Sequence, residues 1–511
     1  MPRPVYVTTS IPYVNAAPHL GYALELVLAD AVARYHRLAG APVRFQSGTD
    51  DNALKNVLAA ERQGVAVADL VSGHASEFER LPAVLHVAGD TFIRTSQNPA
   101  HAQGASALWL ACARRGDLYR RHYRGLYCTG CECFYTDHEL TGGRCPVHGT
   151  VPELVDEENW FFRLSRYGPD LLRLFDSRRL RVVPETRLRE ARSFVSRGLT
   201  DFSVSRTQRR ARGWGVPVPG DPDQVMYVWF DALANYISGL GYPAEQGLFP
   251  TFWREGRRVH VIGKDIIRFH AVYWPAMLLS AGLPVPDAIL VHGFLQQHGS
   301  KLAKSTGVLA DPFEIAGRLG AEPLRYWLLR AVGRGLDADW AEDRAVELRT
   351  SDLANELGNL LQRTVTMVRL YSGGVVPQPP AVSPSPLEAT AAGLPERIQT
   401  AMAEELDPQA ALVAIWDLVR AANRYVNDRR PWHLARSGDR PRLDQVLFEL
   451  AETLRIVAEA LRPFLPATAG AIALQLGITP AATGWLAAMR WSDRAGGSRV
   501  GDPIPLFPRL P

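Results

Sequence analysis

The segment from Val5 to Val32 constrains the fold of this chain most, because a predicted buried strand is followed there by a turn and an amphipathic helix. Residues 5–9 are Val-Tyr-Val-Thr-Thr, and the turn after them is rich in Pro and Asn and ends at Pro18. From His19 onward, apolar side chains recur at three- and four-residue steps. A strand, a loop and a helix with a polar opening are the layout of a phosphate-facing turn in an open α/β sheet.

Further short runs predict the remaining strands of this sheet. They are Val43–Gln46, Met226–Phe230, Arg258–Gly263 and Ala288–His292. The last three are apolar and β-branched, as is typical of strands buried on both faces. The sequence therefore predicts an α/β fold built on a Rossmann-type sheet.

The length of 511 residues is too great for one hydrophobic core. A segment beginning near residue 116 has little periodicity and carries most of the cysteines, which indicates an insertion. After about residue 345, two apolar stripes predict a helical bundle: Leu353, Leu357, Leu360, Leu361, Val365 and Val368, then Leu443, Leu447, Leu450, Leu454, Val457 and Leu461. We predict an α/β domain in two halves (1–115 and 221–345), an insertion (116–220) and a helical domain (346–511).

The composition excludes several classes of protein. The formal net charge is +4, so the chain is no polyelectrolyte-like binder, although a local basic face remains possible. It has no apolar run of 18 residues and no signal-peptide pattern at its start, so we expect no membrane partner and a cytoplasmic location.

Three of the five cysteines and one histidine form a knuckle pattern that is typical of metal binding. Cys128-x2-Cys131 is followed after thirteen residues by Cys145-x2-His148. Three thiolates and an imidazole suit a tetrahedral zinc ion, and four protein ligands leave no open position. We expect one structural Zn²⁺; the alternative is four unrelated residues in a loop.

Two polar segments suggest a nucleotide site. His19 and Gly21 open the first helix, where histidine could donate to a phosphate and glycine would permit close approach; a simple helix cap is the alternative. Lys301 and Lys304 lie in a glycine-flanked stretch, and they are two of only four lysines among 57 basic residues. Two such cations suit a triphosphate, although a solvated basic loop would look the same.

Together these segments resemble the HIGH and KMSKS signatures of the class I aminoacyl-tRNA synthetases. Within that class the chain is similar to the methionyl-tRNA synthetases over essentially its whole length. The matching segments are Ile11–Asn15, His19–Gly21, Gly48–Asp50, Cys128–His148, Tyr227–Ala232, Ile262–Ile266, Leu357–Arg363 and Pro431–Trp432. The resemblance implies a methionine–tRNA ligase with a zinc-knuckle connective insertion and an anticodon-binding helical bundle.

The resemblance also implies roles for individual residues. Asp50 would hold the amino group of L-methionine, and the pocket would comprise Ile11, Tyr13, Trp229, Ala232, Tyr236, Ile266, His270 and Trp274. ATP with Mg²⁺ would lie against His19, Gly21, Tyr22, Lys264, Asp265, Lys301 and Lys304. The anticodon of tRNA(Met) would be read by Asn359, Arg363 and Trp432; on sequence alone, Trp432 could equally cap a core. We expect the enzyme to be a monomer.

This sequence departs from the family pattern at four places on the ATP side. Tyr22 stands for the second His of HIGH, Ala303 lies within the KMSKS match, Asn52 follows the Gly-Thr-Asp segment, and Val308 replaces the usual Asn. These changes suggest a divergent second copy. Two alternatives follow: an amino-acid-adenylating paralogue that does not charge tRNA, and an inactive tRNA-binding module.

Overall fold

The computed structural model describes residues 2–510 except 131–132, 136, 147–148, 298–299, 302–309, 334, 379–384 and 493, and it describes only the backbone of Cys133, Gln297, Ser300 and Lys301. The strands in this part of the chain are β1 (Val5–Thr9), β2 (Val43–Thr49), β3 (Thr91–Arg94), β4 (Leu118–Cys128), β5 (Cys133–Tyr135), β6 (Glu153–Phe162), β7 (Arg181–Val183), β8 (Phe202–Ser203), β9 (Ser205–Thr207), β10 (Pro217–Val218), β11 (Asp221–Met226), β12 (Arg257–Gly263), β13 (Ala288–His292), β14 (Leu295–Gln297), β15 (Ser300–Lys301) and β16 (Ala338–Asp339).

The α-helices are α1 (Leu20–Leu38), α2 (Leu54–Gln63), α3 (Val67–Val84), α4 (Pro99–Arg114), α5 (Gly168–Asp176), α6 (Glu185–Ser196), α7 (Val228–Ser238), α8 (Trp274–Ser280), α9 (Pro312–Leu319), α10 (Ala321–Arg330), α11 (Glu342–Leu348), α12 (Asn359–Ser372), α13 (Pro386–Ala392), α14 (Leu394–Gln399), α15 (Pro408–Arg429), α16 (Pro431–Ser437), α17 (Arg440–Leu461), α18 (Pro466–Leu476) and α19 (Trp485–Ala488). Among the described residues, none of these helices combines the length and the apolar character that crossing a bilayer requires.

A parallel sheet with the strand order β3-β2-β1-β12-β13-β7 organises the first two thirds of the described chain. The predicted strands β1, β2, β12 and β13 are confirmed, and they are neighbours in this sheet. All five residues of β1 and of β13 are buried, because helices cover both faces. Parallel strands end at one common edge, so the loops after β1, β2, β12 and β13 meet there.

The predicted strand at Met226–Phe230 is wrong after its first residue. Met226 ends β11, whereas Val228 begins α7. Nearly every residue of α7 is buried, so it has no polar face to reveal a helical period. A short, uniformly apolar run does not distinguish a buried helix from a buried strand.

The segment after residue 116 forms a long antiparallel ribbon that the sequence did not reveal. Strand β4 pairs with β6 from Leu118 and Phe162 to Tyr127 and Glu153, within the sheet β5-β4-β6-β8. Strand β7 lies within the predicted insertion of residues 116–220, yet it pairs with β13 at the edge of the parallel sheet. The domain boundaries remain a prediction.

The helical part shares its hydrophobic core with the sheet. Both predicted apolar stripes are buried, and one continuous cluster joins them to Val7 of β1 and to the buried face of α1. Arg325 of α10 links the two regions: it is fully buried, pairs with Asp30 of α1 at 2.7 Å and donates to the carbonyl of Phe464 at 2.9 Å.

Candidate functional site

A cavity of about 1610 Å³ opens at the edge where the parallel strands end. Residues that follow β1, β2 and β12 line it, and residues of the β4–β6 insertion line its opposite side. Most of the predicted methionine and ATP residues lie in its wall: Ile11, Tyr13, His19, Gly21, Tyr22, Asp50, Trp229, Ala232, Tyr236, Lys264, Asp265, Ile266 and His270. A common cavity therefore brings together residues from positions 11 to 270.

His19 is both a helix cap and a cavity residue. Its Nδ1 accepts the backbone N–H of Gly21 at 3.1 Å, so Nε2 carries the ring hydrogen and is a donor. A Cβ at position 21 would lie 2.9 Å from His19 Cε1. Glycine is thus needed to accommodate the histidine ring itself, in addition to the close nucleotide approach expected from the sequence. The site gains a donor beside the positive end of α1.

Tyr22 directs its hydroxyl into the protein. The hydroxyl lies 2.7 Å from Ser47 Oγ, which in turn lies 2.7 Å from Thr9 Oγ1. Burial raises the pKa of Tyr22, so the phenol stays neutral. The aromatic ring packs against Phe78 and forms part of the cavity floor. The hydroxyl is accordingly committed to Ser47 in this structure.

The lysine-bearing segment begins and ends beside the cavity. The backbone of Lys301 pairs with Gln296, next to Leu295, which lines the cavity. Lys304 lies outside the described residues, as do Ala303 and Val308. Beyond them, the carbonyl of Ala310 accepts the backbone N–H of Leu20 at 3.2 Å, directly after His19. The segment 302–309 therefore begins next to a residue of the cavity wall and ends beside the start of α1.

Lys264 and Asp265 follow β12 and line the same cavity. The ammonium of Lys264 forms a 2.6 Å ion pair with Asp337 and lies over the ring of Phe294. Burial opposes ionisation of Asp337, but the hydrogen bonds from Lys264 and from the backbone N–H of Phe294, with the positive charges of Lys264 and Arg187, together lower the pKa of Asp337. In this structure Lys264 is thus neutralised by a carboxylate.

Asp50 is buried at the end of β2 in a tightly fixed turn. Its backbone N–H donates to the carbonyl of Pro12 at 2.9 Å, and its Oδ1 accepts the backbone N–H of Asn52 at 3.2 Å. The side-chain amide of Asn52 donates to Asp231 Oδ2 at 2.7 Å, and the other oxygen of Asp231 lies 2.7 Å from His101 Nε2. A buried polar network, which the sequence did not reveal, therefore fixes the turn that carries Asp50.

Aromatic rings form another part of the cavity wall, and one of them, Tyr13, pairs through its backbone with Asp50. Trp229 stacks on Phe269 with ring centres 3.7 Å apart and meets the edge of Tyr13 at 6.3 Å. The ammonium of Lys55 lies 4.7 Å from the centre of the Tyr13 ring. Flat, polarisable surfaces of this kind suit a thioether, because they make few hydrogen-bonding demands.

His270 is a neutral member of this wall. Its Nδ1 donates to the carbonyl of Ile266 at 3.0 Å, so Nε2 accepts the hydroxyl of Tyr236 at 2.7 Å. Burial lowers the pKa of His270 to about 4. Trp274, which was predicted to belong to the methionine pocket, lies behind the cavity wall. It is fully buried, contacts the ring of Tyr236 and donates its indole N–H to His260.

Glu25 and His292 are cavity residues that sequence reasoning missed. Glu25 Oε1 accepts both the backbone N–H and the hydroxyl of Ser10 at 2.6 Å, and Oε2 accepts His292 Nε2 at 2.9 Å. Burial disfavours the charged ring, but the hydrogen bond to Glu25, the negative charges of Glu25 and Asp265 and the hydrogen bond to the Gly293 carbonyl together raise the pKa of His292. The sequence could have indicated Glu25, because a carboxylate on the apolar face of a helix is unusual in proteins.

Two of the four predicted metal ligands are described. Cys128 and Cys145 are both about 1% exposed, and both border Thr150: the sulfur of Cys128 lies 3.7 Å from Thr150 Oγ1, and Cys145 donates its N–H to the Thr150 carbonyl at 2.8 Å. Cys131 and His148 lie outside the described residues. Two buried thiols that both border Thr150 have the donor chemistry that zinc requires.

The predicted anticodon residues lie together on the helical part. Asn359 and Arg363 are one turn apart on α12, and the guanidinium of Arg363 lies 5.9 Å from the centre of the Trp432 ring at the start of α16. Trp432 is half-buried, with one side on the hydrophobic core. It therefore contributes to the core while leaving a partly accessible ring beside a cation.

Comparisons with known proteins agree with this geometry. A family model for class I tRNA synthetases (M) matches residues 5–149 and 138–365. Methionine–tRNA ligase of Brucella suis biovar 1 (strain 1330) is 42% identical over 514 residues, covering 99% of this chain and 97% of that protein. The solved Mycobacterium tuberculosis methionyl-tRNA synthetase in complex with methionyl-adenylate gives a TM-score of 0.93 at 40% identity and covers 99% of this chain and 100% of that one. The apo form of that enzyme gives 0.84 at 39% identity, covering 99% and 98%. These similarities favour neither of the alternative functions.

Proposed function

This chain belongs to the methionyl-tRNA synthetases of class I, and we propose how its residues carry out the activation of methionine by ATP and its transfer to tRNA. Methionine, ATP and tRNA are the substrates, and class I enzymes use ATP with Mg²⁺. The assignments below rest on the geometry of the cavity and on the family resemblance.

Asp50 would bind the ammonium group of methionine. A buried carboxylate is the natural partner of an ammonium ion, and charge-assisted hydrogen bonds are the stronger ones. The thioether would lie against Tyr13 and Trp229, with Ile11, Ala232, Tyr236, Ile266 and His270 completing the pocket. Because His270 is neutral and its two nitrogens are already engaged, this ring offers no strong donor to a competing polar side chain.

The activation step would occur at the start of α1. The methionine carboxylate attacks the α-phosphorus of ATP, an acyl–phosphate bond forms, and the bond to pyrophosphate breaks. The Nε2–H of His19 and the positive end of α1 would stabilise the negative charge that passes to pyrophosphate, together with Lys301 and Lys304. Gly21, Tyr22, Lys264 and Asp265 would shape the nucleotide site, and Lys264 would have to leave Asp337 to reach a phosphate.

In the transfer step, the terminal adenosine of tRNA would take the methionyl group from the adenylate through its 2′-hydroxyl. The helical domain of residues 346–511 would read the anticodon of tRNA(Met), with a base stacked on Trp432 and polar contacts from Asn359 and Arg363. The adjacency of these three side chains supports this role.

The insertion would hold one structural Zn²⁺ through Cys128, Cys131, Cys145 and His148. When bound, the ion would cross-link the knuckle, and it would take no part in the chemistry. The burial of Cys128 and Cys145, both beside Thr150, supports this assignment. Elemental analysis of the purified protein should give one zinc per chain, and Cys145→Ser should lower that ratio.

The observation that carries the proposal is that one cavity contains Asp50, the aromatic wall and His19, with both ends of the lysine-bearing segment beside it. The test is methionine-dependent ATP–pyrophosphate exchange followed by charging of a tRNA(Met) transcript. Asp50→Asn should raise KM for methionine at least tenfold, because it removes the charge and keeps the shape. Asp69→Asn, an exposed carboxylate on α3, is the control. Exchange without charging would refute the transfer step, and an unchanged KM in Asp50→Asn would refute the role of Asp50.

A further inference from the structure

A second cavity lies at the opposite edge of the parallel sheet, and arginines dominate its wall. It has a volume of about 480 Å³, and we name it the arginine pocket for Arg3, Arg178, Arg179, Arg181, Arg257 and Arg258. Only two carboxylates, Asp287 and Glu404, line it with them. Cavities of this size accept small molecules, so the arrangement is more than a convex basic surface.

The positive charges in the arginine pocket are incompletely compensated. Asp287 serves two arginines at once, Arg3 at 3.2 Å and Arg258 at 2.6 Å. Arg257 donates to the carbonyl of Ala403 at 3.1 Å, and Arg181 donates to that of Glu404; neither acceptor is a carboxylate.

Arg178 and Arg179 are exposed at the rim, and their side chains make no hydrogen bond or ion pair with another described residue. Burial and the neighbouring Arg181 lower the pKa of Arg257, so the arginines of this cluster repel one another. An anion in the cavity would relieve this repulsion.

From this arrangement we propose that the arginine pocket binds the phosphate groups of a small polyanion. Guanidinium forks match phosphate oxygens in bidentate fashion, and several of them converge here on a small volume. A bound phosphate group would contact arginines that already bond to the 403–404 backbone of the helical part. Binding would consequently strengthen the contact between the sheet and the helical part and stabilise the folded protein.

The position of the pocket argues against its being part of the tRNA path. Arg257 begins β12 and Gly263 ends it at the first cavity, which separates the two cavities by about 20 Å of strand. Residues 403–404 lie just before α15, whose far end leads to Trp432 after about 33 Å of helix. The proposed methionine site therefore lies at the end of β12 that is far from the arginine pocket. The proposed anticodon site lies beyond the far end of α15.

The test is equilibrium dialysis of the full-length protein against inorganic tripolyphosphate, which the active site will also bind. The variant Arg178→Gln/Arg179→Gln is compared with Arg114→Gln/Arg115→Gln, another exposed arginine pair at the end of a helix. We expect the wild type and the control each to bind one more tripolyphosphate per chain than the rim variant does. Alternatively, the rim variant binds this additional tripolyphosphate at least tenfold more weakly. Methionine-dependent exchange should be the same in all three proteins.

Two results would overturn the proposal. Equal stoichiometry and affinity in all three proteins would mean that the arginine pocket binds no phosphate group. A selective loss of affinity for the tRNA(Met) transcript in the rim variant, with tripolyphosphate binding unchanged, would assign the pocket to tRNA instead. An increase in thermal midpoint with tripolyphosphate that the rim variant loses and the control keeps would support the site independently.

Discussion

Replacing Glu25 with Gln tests whether the carboxylate of Glu25 keeps the ring of His292 charged in the large cavity. The substitution keeps the size of the side chain, and its amide oxygen can still accept the two hydrogen bonds from Ser10. The new amide N–H groups face His292 Nε2, which must then become an acceptor, because Nδ1 donates to the carbonyl of Gly293. The variant therefore forces the ring into its neutral form, and the pKa of His292 should fall.

The magnitude follows from the change in hydrogen-bond type. Bonds to charged groups contribute about 1.5–3 kcal/mol and neutral ones about 0.5–1.5 kcal/mol, so the variant should lose about 1–2 kcal/mol of stability. Since the pKa of His292 is raised in the folded protein, this contribution is complete below the unfolded value of about 6.5. It disappears as the pH rises through the folded value, and the two proteins should converge in alkaline solution.

The assay is a pH titration of the histidine ring by NMR, paired with thermal unfolding midpoints at several pH values. The exposed Glu79→Gln on α3 is the matched control and should leave both unchanged. The reasoning is refuted if His292 titrates below its ordinary value in the wild-type protein, or if Glu25→Gln leaves its pKa unaltered.

Three further predictions follow from other contacts. Gly21→Ala should displace the ring of His19 and slow pyrophosphate exchange at least tenfold, which corresponds to about 1.4 kcal/mol in the activation barrier. The control is Gly73→Ala on α3, which should retain activity because a new Cβ there meets no atom within 4 Å. Equal exchange rates in the two variants would exclude the steric argument. Arg325→Leu should lower the free energy of unfolding by about 3–5 kcal/mol, because it removes one of the two arginines that pair with buried Asp30 and leaves the buried carbonyls of Leu85 and Phe464 without their donor; an unchanged thermal midpoint would contradict this. Stripping metal with a chelator should lower the thermal midpoint of the wild-type protein and release one zinc per chain, and a metal-independent midpoint would count against the structural ion.

The sequence was most informative where pattern and burial coincide. Strand β1 and strand β13 were predicted to the residue, since apolar runs of five bounded by turns leave little freedom in a two-faced sheet. The strand predicted at Met226–Phe230 was wrong because an apolar run also occurs in a buried helix. Helix α7 is buried on all sides, so the composition of the run alone could not distinguish it from a strand.

The site was partly predictable through the family resemblance, which implied roles for Asp50 and Lys264. The structure places both residues in the cavity wall, where they follow parallel strands of the sheet. The orientation of the Tyr22 hydroxyl and the long-range bond between Glu25 and His292 depend on three-dimensional packing. Their partners lie 25 and 267 residues away, and no local pattern specifies such distances.

The shared core of the sheet and the helices has a consequence for how this enzyme can be divided. The cluster that includes Val7 and Leu24 continues without interruption to Leu450 and Leu461. A fragment ending near residue 345 would expose to water the apolar surface that the helices now cover, and would tend to self-associate. The cavity and the helical part therefore depend on one hydrophobic interior, and a substitution that disturbs this interior on one side will affect the packing of the other.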